Sequence, residues 1–90
     1  MFRFKKGIPV SYEDQGYIYF YSRRYRRLPR KERRRIEMLS AEAGGEYQEA
    51  QQEFVTTDSG AVAVCARHYI SQSTLERAVR KYYSAFQKLL

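Results

Sequence analysis

Apolar residues recur at intervals of three and four along most of the chain, which is the spacing of one face of an α-helix. The first set consists of Ile18, Tyr21, Tyr25 and Leu28. Ser11, with Asp14 three residues later, suits the N-terminal cap of this first helix. The segment "YIYFY" at residues 17–21 also has strong strand propensity. A strand there is the alternative to a helix.

Two further helices are predicted in the middle of the chain. Pro29 suits the first turn of the second helix, because its φ is already helical there, and Gly44 and Gly45 would end it. The apolar face of this helix carries Ile36, Leu39 and Ala43. The third helix corresponds to "EYQEAQQEFV" at residues 46–55. Its predicted stripe consists of Tyr47, Ala50, Gln51 and Phe54.

The last third of the chain predicts two more helices. Thr57, Asp58 or Ser59 would cap the fourth, which runs to about Arg67. The segment "ISQS" starts the fifth, whose core stripe consists of Leu75, Ala78, Val79, Tyr82 and Phe86. These patterns predict an all-α fold. Residues 1–10 would form a short N-terminal arm, and residues 11–90 a single compact bundle of four to five helices.

The last two helices match the pattern of a helix-turn-helix over about residues 59–86. With Leu75 as the first anchor of the second helix, Ala78 follows three residues later and Ile70 falls in the turn. Cys65 then occupies the small position where the helices cross, and Val64 precedes it as a core residue.

Two residues depart from this pattern. Tyr69 stands where the turn often has Gly, and His68 stands where an apolar residue is usual. A non-Gly residue with positive φ is costly. A helical hairpin without any DNA-binding role is therefore the alternative interpretation.

Charge makes an anionic partner the leading expectation. The formal net charge is +7 over 90 residues, and both nucleic acid and an acidic membrane surface would be attracted to it. The sign changes along the chain. Residues 23–35 carry nine Lys and Arg and one acid, Glu32, residues 37–58 carry acids and no Lys or Arg, and the remainder is basic again.

In a helix-turn-helix, the start of the second helix contacts base edges and flanking residues contact phosphates. Gln72, Ser73 and Arg77 are the base-edge candidates, since Gln suits adenine and Arg suits guanine. A solvated helix surface without a ligand is the alternative. The phosphate candidates are Arg23, Arg24, Arg26, Arg27, Arg30, Lys31, Arg33, Arg34, Ser71, Thr74, Arg80 and Lys81.

The arginine run is unfavourably placed for an isolated helix. Cations at the start of the second helix and acids toward its end oppose the helix macrodipole, at roughly 0.3–1 kcal/mol per charge. A bound phosphate backbone would offset this cost. Pairing of the arginines with the acidic third helix is the alternative, and it would leave less net attraction for DNA.

Nine tyrosines lie among the basic residues, which raises base stacking on single-stranded nucleic acid or RNA. Tyr17, Tyr21 and Tyr25 nevertheless fall at helical spacing. That spacing favours places in the core.

Enzymatic function is not expected, and no catalytic residue or cofactor is predicted. Cys65 and His68 are the only Cys and His, and two such ligands do not make a structural zinc site. The lone histidine is expected to be structural. No apolar segment approaches the length of a membrane span, and a single cysteine permits a reducing compartment. A cytoplasmic protein without a membrane partner is expected.

The segments "YIYFYSRRYRRLP", "GGEY", "FVTTD" and "YISQSTLERAVRKYY" resemble small, largely uncharacterised helical proteins, helix-turn-helix-like in character, of bacterial conjugative elements and prophages. The resemblance spans most of the chain after the first ten residues. It implies a mobile-element setting. Small helical proteins of such elements serve as repressors, as excision or transfer accessories, or as inhibitors of host defence systems, including CRISPR effectors.

Two functions are therefore expected as alternatives. The first is a double-stranded DNA-binding protein, a transcriptional regulator or a recombination or transfer accessory factor, acting as a homodimer because one small recognition unit rarely gives enough affinity. The second is a mobile-element inhibitor, like an anti-CRISPR protein, that binds a host protein or ribonucleoprotein effector.

Overall fold

The computed structural model describes residues 2–90, and this part of the chain contains five α-helices and no β-strand. The predicted all-α fold is therefore confirmed. The described residues span 31 × 30 × 23 Å. The helices are α1 (Tyr12–Arg23), α2 (Arg30–Gly44), α3 (Gln48–Thr56), α4 (Ala61–His68) and α5 (Gln72–Gln87).

Helix α1 begins as its sequence predicts, because the Ser11 side chain accepts a hydrogen bond from the Asp14 N–H at 3.2 Å. It ends earlier than the spacing of Tyr25 and Leu28 suggests. The α-helix stops at Arg23, and a 3₁₀ turn follows at Tyr25–Arg27. Leu28 is extended, with φ −75° and ψ 150°, as expected for the residue before a proline.

The arm packs onto α1 and the core. Ile8 and Val10 are buried. The side chain of Gln15, which is fully buried, accepts the Lys5 N–H at 2.8 Å and donates to the carbonyl oxygens of Lys5 and Val10 at 3.0 and 3.1 Å. One polar side chain thus satisfies three backbone groups of the arm.

Helix α2 starts one residue after Pro29, which is extended and serves as the N-cap. Its predicted end is confirmed, because Gly45 follows with φ 55°, a conformation that favours glycine. Ile36, Leu39 and Ala43 are buried as predicted.

The predicted stripe of the third helix is only partly correct. Ala50 and Gln51 are buried, but Tyr47 precedes α3 in a second 3₁₀ turn and is exposed. Val55 takes the further buried position. The buried face of α3 therefore runs through Ala50, Gln51 and Val55.

The predicted caps of the fourth helix are wrong. Gly60 is the N-cap, and no side chain caps α4. The three predicted side chains have other partners: Thr57 donates to the Glu53 carbonyl oxygen at 2.7 Å, Asp58 pairs with Arg23, and Ser59 accepts from Arg67.

Helix α5 is the central helix, because each of the other four packs against it. Leu75, Ala78, Val79, Tyr82 and Phe86 are all buried, as their spacing predicts, and Tyr83 joins them. The Tyr82 hydroxyl lies 2.7 Å from the Ser22 hydroxyl of α1 in the interior. Burial raises the pKa of Tyr82 and of Tyr83 above the ordinary tyrosine value.

This hydroxyl pair predicts a coupled effect on stability. Tyr82→Phe leaves the buried Ser22 hydroxyl without this partner, so the free energy of unfolding should fall by about 1–2 kcal/mol. Adding Ser22→Ala should cost less in the Tyr82→Phe background than in the wild type. Urea unfolding followed by circular dichroism measures the cycle, and strictly additive losses would contradict it.

Candidate nucleic-acid interface

A three-residue connection joins α4 to α5. Tyr69 follows α4 in the left-handed conformation, with φ 56° and ψ 45°, and its N–H donates to the Cys65 carbonyl oxygen. Its side chain is 94% exposed, so no packing offsets the cost of this conformation. Ile70 is half-buried against the core, and Val64 and Cys65 are buried.

The first turn of α5 is held by its own hydroxyl groups. Ser71 is the N-cap, and its Oγ accepts the Thr74 N–H at 3.1 Å. The same hydroxyl donates to Thr74 Oγ1 at 2.9 Å and lies 3.2 Å from Ser73 Oγ. Ser71, Ser73 and Thr74 therefore form one connected group at the start of the helix.

The remaining candidates on α5 lie on its exposed side. Gln72, Ser73, Arg77, Arg80 and Lys81 are all exposed. Glu76 lies among them and is also exposed, a residue that the sequence interpretation missed. Its spacing of four from both Gln72 and Arg80 was the available signal. A carboxylate there repels phosphate but can accept from the amino group of cytosine.

A cluster of side chains fastens α4 to α3. His68 Nε2 lies 2.7 Å from Glu53 Oε1, and Arg67 donates to the other oxygen of the same carboxylate and, at 2.9 Å, to Ser59 Oγ. The hydrogen bond from Arg67, followed by that from His68, holds the pKa of Glu53 below its ordinary value of 4.5. The histidine thus anchors α4, the first helix of the candidate unit.

The second group of candidates forms what we call the arginine surface, between the end of α1 and the middle of α2. Among residues 2–90, none of its members forms an ion pair with an acid. All are exposed except Arg33, which is half-buried. The arginine surface consists of Arg24, Arg26, Arg27, Arg30, Lys31, Arg33, Arg34 and Arg35.

Arg35 was not among the predicted phosphate contacts. It lines a depression together with Lys31, Arg34 and Leu89. Its membership of the same basic run was the signal that could have identified it.

Two tyrosines donate hydrogen bonds to acidic residues of α2 that lie beside the arginine surface in the sequence. Tyr21 donates to Glu32 at 2.9 Å, and Tyr25 donates to Glu37. Burial, followed by the hydrogen bond to Glu32, raises the pKa of Tyr21 to about 12. The hydrogen bond to Glu37, followed by burial, raises the pKa of Tyr25. Glu32 and Glu37 therefore bind phenols rather than arginines.

Arg23 differs from the other phosphate candidates. It pairs with Asp58, donates to the Tyr19 hydroxyl at 2.6 Å and lies over the Tyr19 ring at 5.3 Å. Its guanidinium therefore has an internal role. The alternative interpretation, pairing of the arginine run with α3, does not occur in the described chain, since Glu53 of α3 binds Arg67 and His68 of α4 instead.

The two candidate groups lie toward opposite ends of α5. Tyr21, which binds Glu32 of α2, packs on Phe86 near the end of α5, and Leu89 lies beside Lys31. Gln72 is fourteen residues before Phe86, or about 20 Å along a helix axis. The fold does not bring the base-edge candidates into the arginine surface.

Helix α1 exposes aromatic rings beside the arginine surface. Tyr17 and Phe20 are 51% and 58% exposed. The prediction that Tyr17 lies in the core is therefore wrong. The buried positions of α1 are Gln15, Ile18 and Ser22. What we call the aromatic depression, of about 450 Å³, is lined by Gly16, Tyr17, Phe20, Tyr21, Arg24, Leu28 and Glu32.

No protein-family model, curated protein or solved structure matches this chain. Within residues 2–90, no helix has the length and apolar character needed to cross a membrane. The same residues contain no cluster of three or more Cys, His, Asp or Glu that could hold a metal ion.

The Glu53 cluster predicts a pH-dependent stability. Because the pKa of Glu53 is lowered in the folded state, its pairing stabilises the protein fully above the unfolded value of 4.5 and is lost as the pH falls through the folded value. Glu53→Gln should therefore lower the free energy of unfolding by about 1 kcal/mol or less above about pH 5. This difference from the wild type should shrink on acidification.

Arg67→Met tests whether the pairing of Glu53 causes this pH dependence, because it removes the strongest partner of Glu53 and keeps the Glu53 carboxylate. It should weaken the same pH dependence. Chemical unfolding over a pH series measures all three proteins. An unchanged pH dependence in both variants would show that the cluster does not contribute.

Proposed function

We propose that this protein binds double-stranded DNA through a helix-turn-helix formed by α4 and α5. It would act as a transcriptional regulator or a recombination or transfer accessory factor of a mobile element. A homodimer would place two recognition helices on two half-sites.

The arginine surface is the observation that carries this proposal. A dense group of cations without ion-pair partners repels itself and lowers stability. A phosphate backbone relieves this repulsion while releasing counterions. Helix α2 begins in this surface without a side-chain cap. Its positive end adds to the attraction for phosphate.

Sequence reading is assigned to the start of α5. Gln72 and Arg77 are exposed and have no side-chain hydrogen bond to another residue of the described chain, so they remain available for base edges. The hydrogen bonds between the side chains of Ser71 and Thr74, and from the Thr74 N–H to Ser71, fix the turn from which they project.

Both surfaces can contact one duplex if α5 lies along it. Their separation of about 20 Å along α5 is close to half of the roughly 34 Å turn of B-DNA. The start of α5 would enter a major groove, and the arginine surface would meet phosphates about half a turn away.

The arginine surface predicts a loss of affinity for every duplex. Arg30→Glu with Arg34→Glu changes two exposed members, and it should flatten the slope of log affinity against log salt by about two units. Fluorescence anisotropy with a random-sequence duplex over a salt series measures this. Arg3→Glu with Lys6→Glu, two exposed positions on the arm, changes the net charge equally and should flatten the slope less. Equal effects would contradict a localised phosphate site.

If the start of α5 reads base edges, a substitution there should reduce the specificity of the protein for its preferred DNA sequence. Arg77→Ala should cost about 1–3 kcal/mol on a duplex selected from a random library and should spare a scrambled duplex. Lys81→Ala, as a phosphate contact, should weaken both duplexes similarly. Equal losses for both variants on both duplexes would reject base recognition by α5.

A second function is supported by a different surface. Met38, Leu89 and Leu90 are 71%, 56% and 56% exposed. Met38 and Leu89 share a depression of about 550 Å³ with Lys31, Arg34 and Arg35. Exposed apolar groups edged by cations suit a protein or ribonucleoprotein partner, as expected of a mobile-element inhibitor. Failure of the wild type to bind any duplex would favour this alternative.

A further inference from the structure

We propose that the aromatic depression binds unpaired bases of single-stranded nucleic acid by stacking. This site is separate from the start of α5 and does not depend on duplex recognition. It would give the protein a second contact on substrates that contain unpaired nucleotides.

The rings of the depression are fixed by their neighbours yet open to solvent. Tyr17 stacks on Tyr21 with ring centres 5.7 Å apart and an interplanar angle of 23°. Both rings meet the edge or face of Phe86, at 6.5 and 5.4 Å. Because Tyr21 is also held by Glu32, the exposed Tyr17 ring rests on a rigid support.

Phe20 forms the second exposed ring of the depression. It packs edge-on against Tyr19 at 5.0 Å, and more than half of its surface remains exposed. Arg24 lies one turn further along the chain, lines the same depression and belongs to the arginine surface. The exposed aromatic rings therefore lie next to the cations of the arginine surface.

This combination suits a single strand better than other anionic partners. Stacking uses flat π-faces and accepts any base, while flanking cations follow the backbone, and the planar guanidinium of Arg24 can itself stack on a base. A paired duplex keeps its bases stacked on one another and cannot offer their faces.

The decisive comparison uses two probes with the same phosphates. One is a fluorescein-labelled thymidine oligonucleotide of about 15 nucleotides, and the other is an abasic oligonucleotide of equal length. The wild type should bind the thymidine strand about tenfold more tightly at the same salt concentration. Equal affinities would overturn the proposal, because attraction would then be electrostatic only.

Tyr17→Leu with Phe20→Leu keeps apolar side chains in the depression and removes both π-faces. This variant should lose the preference for thymidine while retaining its affinity for the abasic strand. Tyr12→Leu is the matched control, since Tyr12 is 62% exposed on the same helix but does not line the depression. The control should retain the preference, and an equal loss in both variants would overturn the proposal.

If circular dichroism shows that the double variant is unfolded, Tyr17→Trp provides an independent test. The larger ring should increase the preference for the thymidine strand. An unchanged or reduced preference would count against stacking. A folded double variant could instead lose binding to phosphatidylglycerol vesicles while its binding to the thymidine strand is unchanged. That result would overturn the proposal and assign the depression to membranes. Duplex selection with Arg77→Ala tests the proposed function separately, so either result can fail alone.

Discussion

Burial of one face of α5 is the interaction on which the rest of the structure depends. Every other helix packs against it, and its buried positions carry three large aromatic rings, Tyr82, Tyr83 and Phe86. Such rings bury more apolar area than aliphatic side chains do, which suits a chain of 90 residues with limited core volume. The opposite side of the same helix is free to carry Gln72, Arg77 and Lys81.

Tyrosine hydroxyls determine how the basic charge is presented. If Glu32 and Glu37 paired with neighbouring arginines, those guanidinium groups would be held within the protein and would be less available to an external anion. Instead, Tyr21 and Tyr25 donate to these carboxylates and join the end of α1 to α2. Tyr21, held in place by Glu32, also supports the Tyr17 ring. One set of hydrogen bonds therefore organises both the arginine surface and the aromatic depression.

The distribution of charge along the axis of α5 has a functional consequence. The exposed start of α5 and the arginine surface lie toward opposite ends of the molecule, and an acidic segment with Glu42, Glu46 and Glu49 lies between them in sequence. A nucleic acid that touches both ends must extend along the protein rather than meet a single point. In the proposed arrangement, the start of α5 reads the sequence, and the arginine surface adds phosphate contacts at the other end of α5.

Sequence alone determined the features that depend on neighbours within a few residues. The core stripe of α5, the Ser11 cap and the end of α2 at Gly45 follow from helical periodicity and backbone preference. The caps predicted for α4 failed because Asp58 and Ser59 bind arginines from α1 and α4, and the exposure of Tyr17 was missed because α1 buries the polar Gln15 and Ser22. Those side chains are buried because they meet the arm and Tyr82. Only the tertiary structure decided which arginines lack acids and which rings face solvent, because both depend on partners distant in the chain.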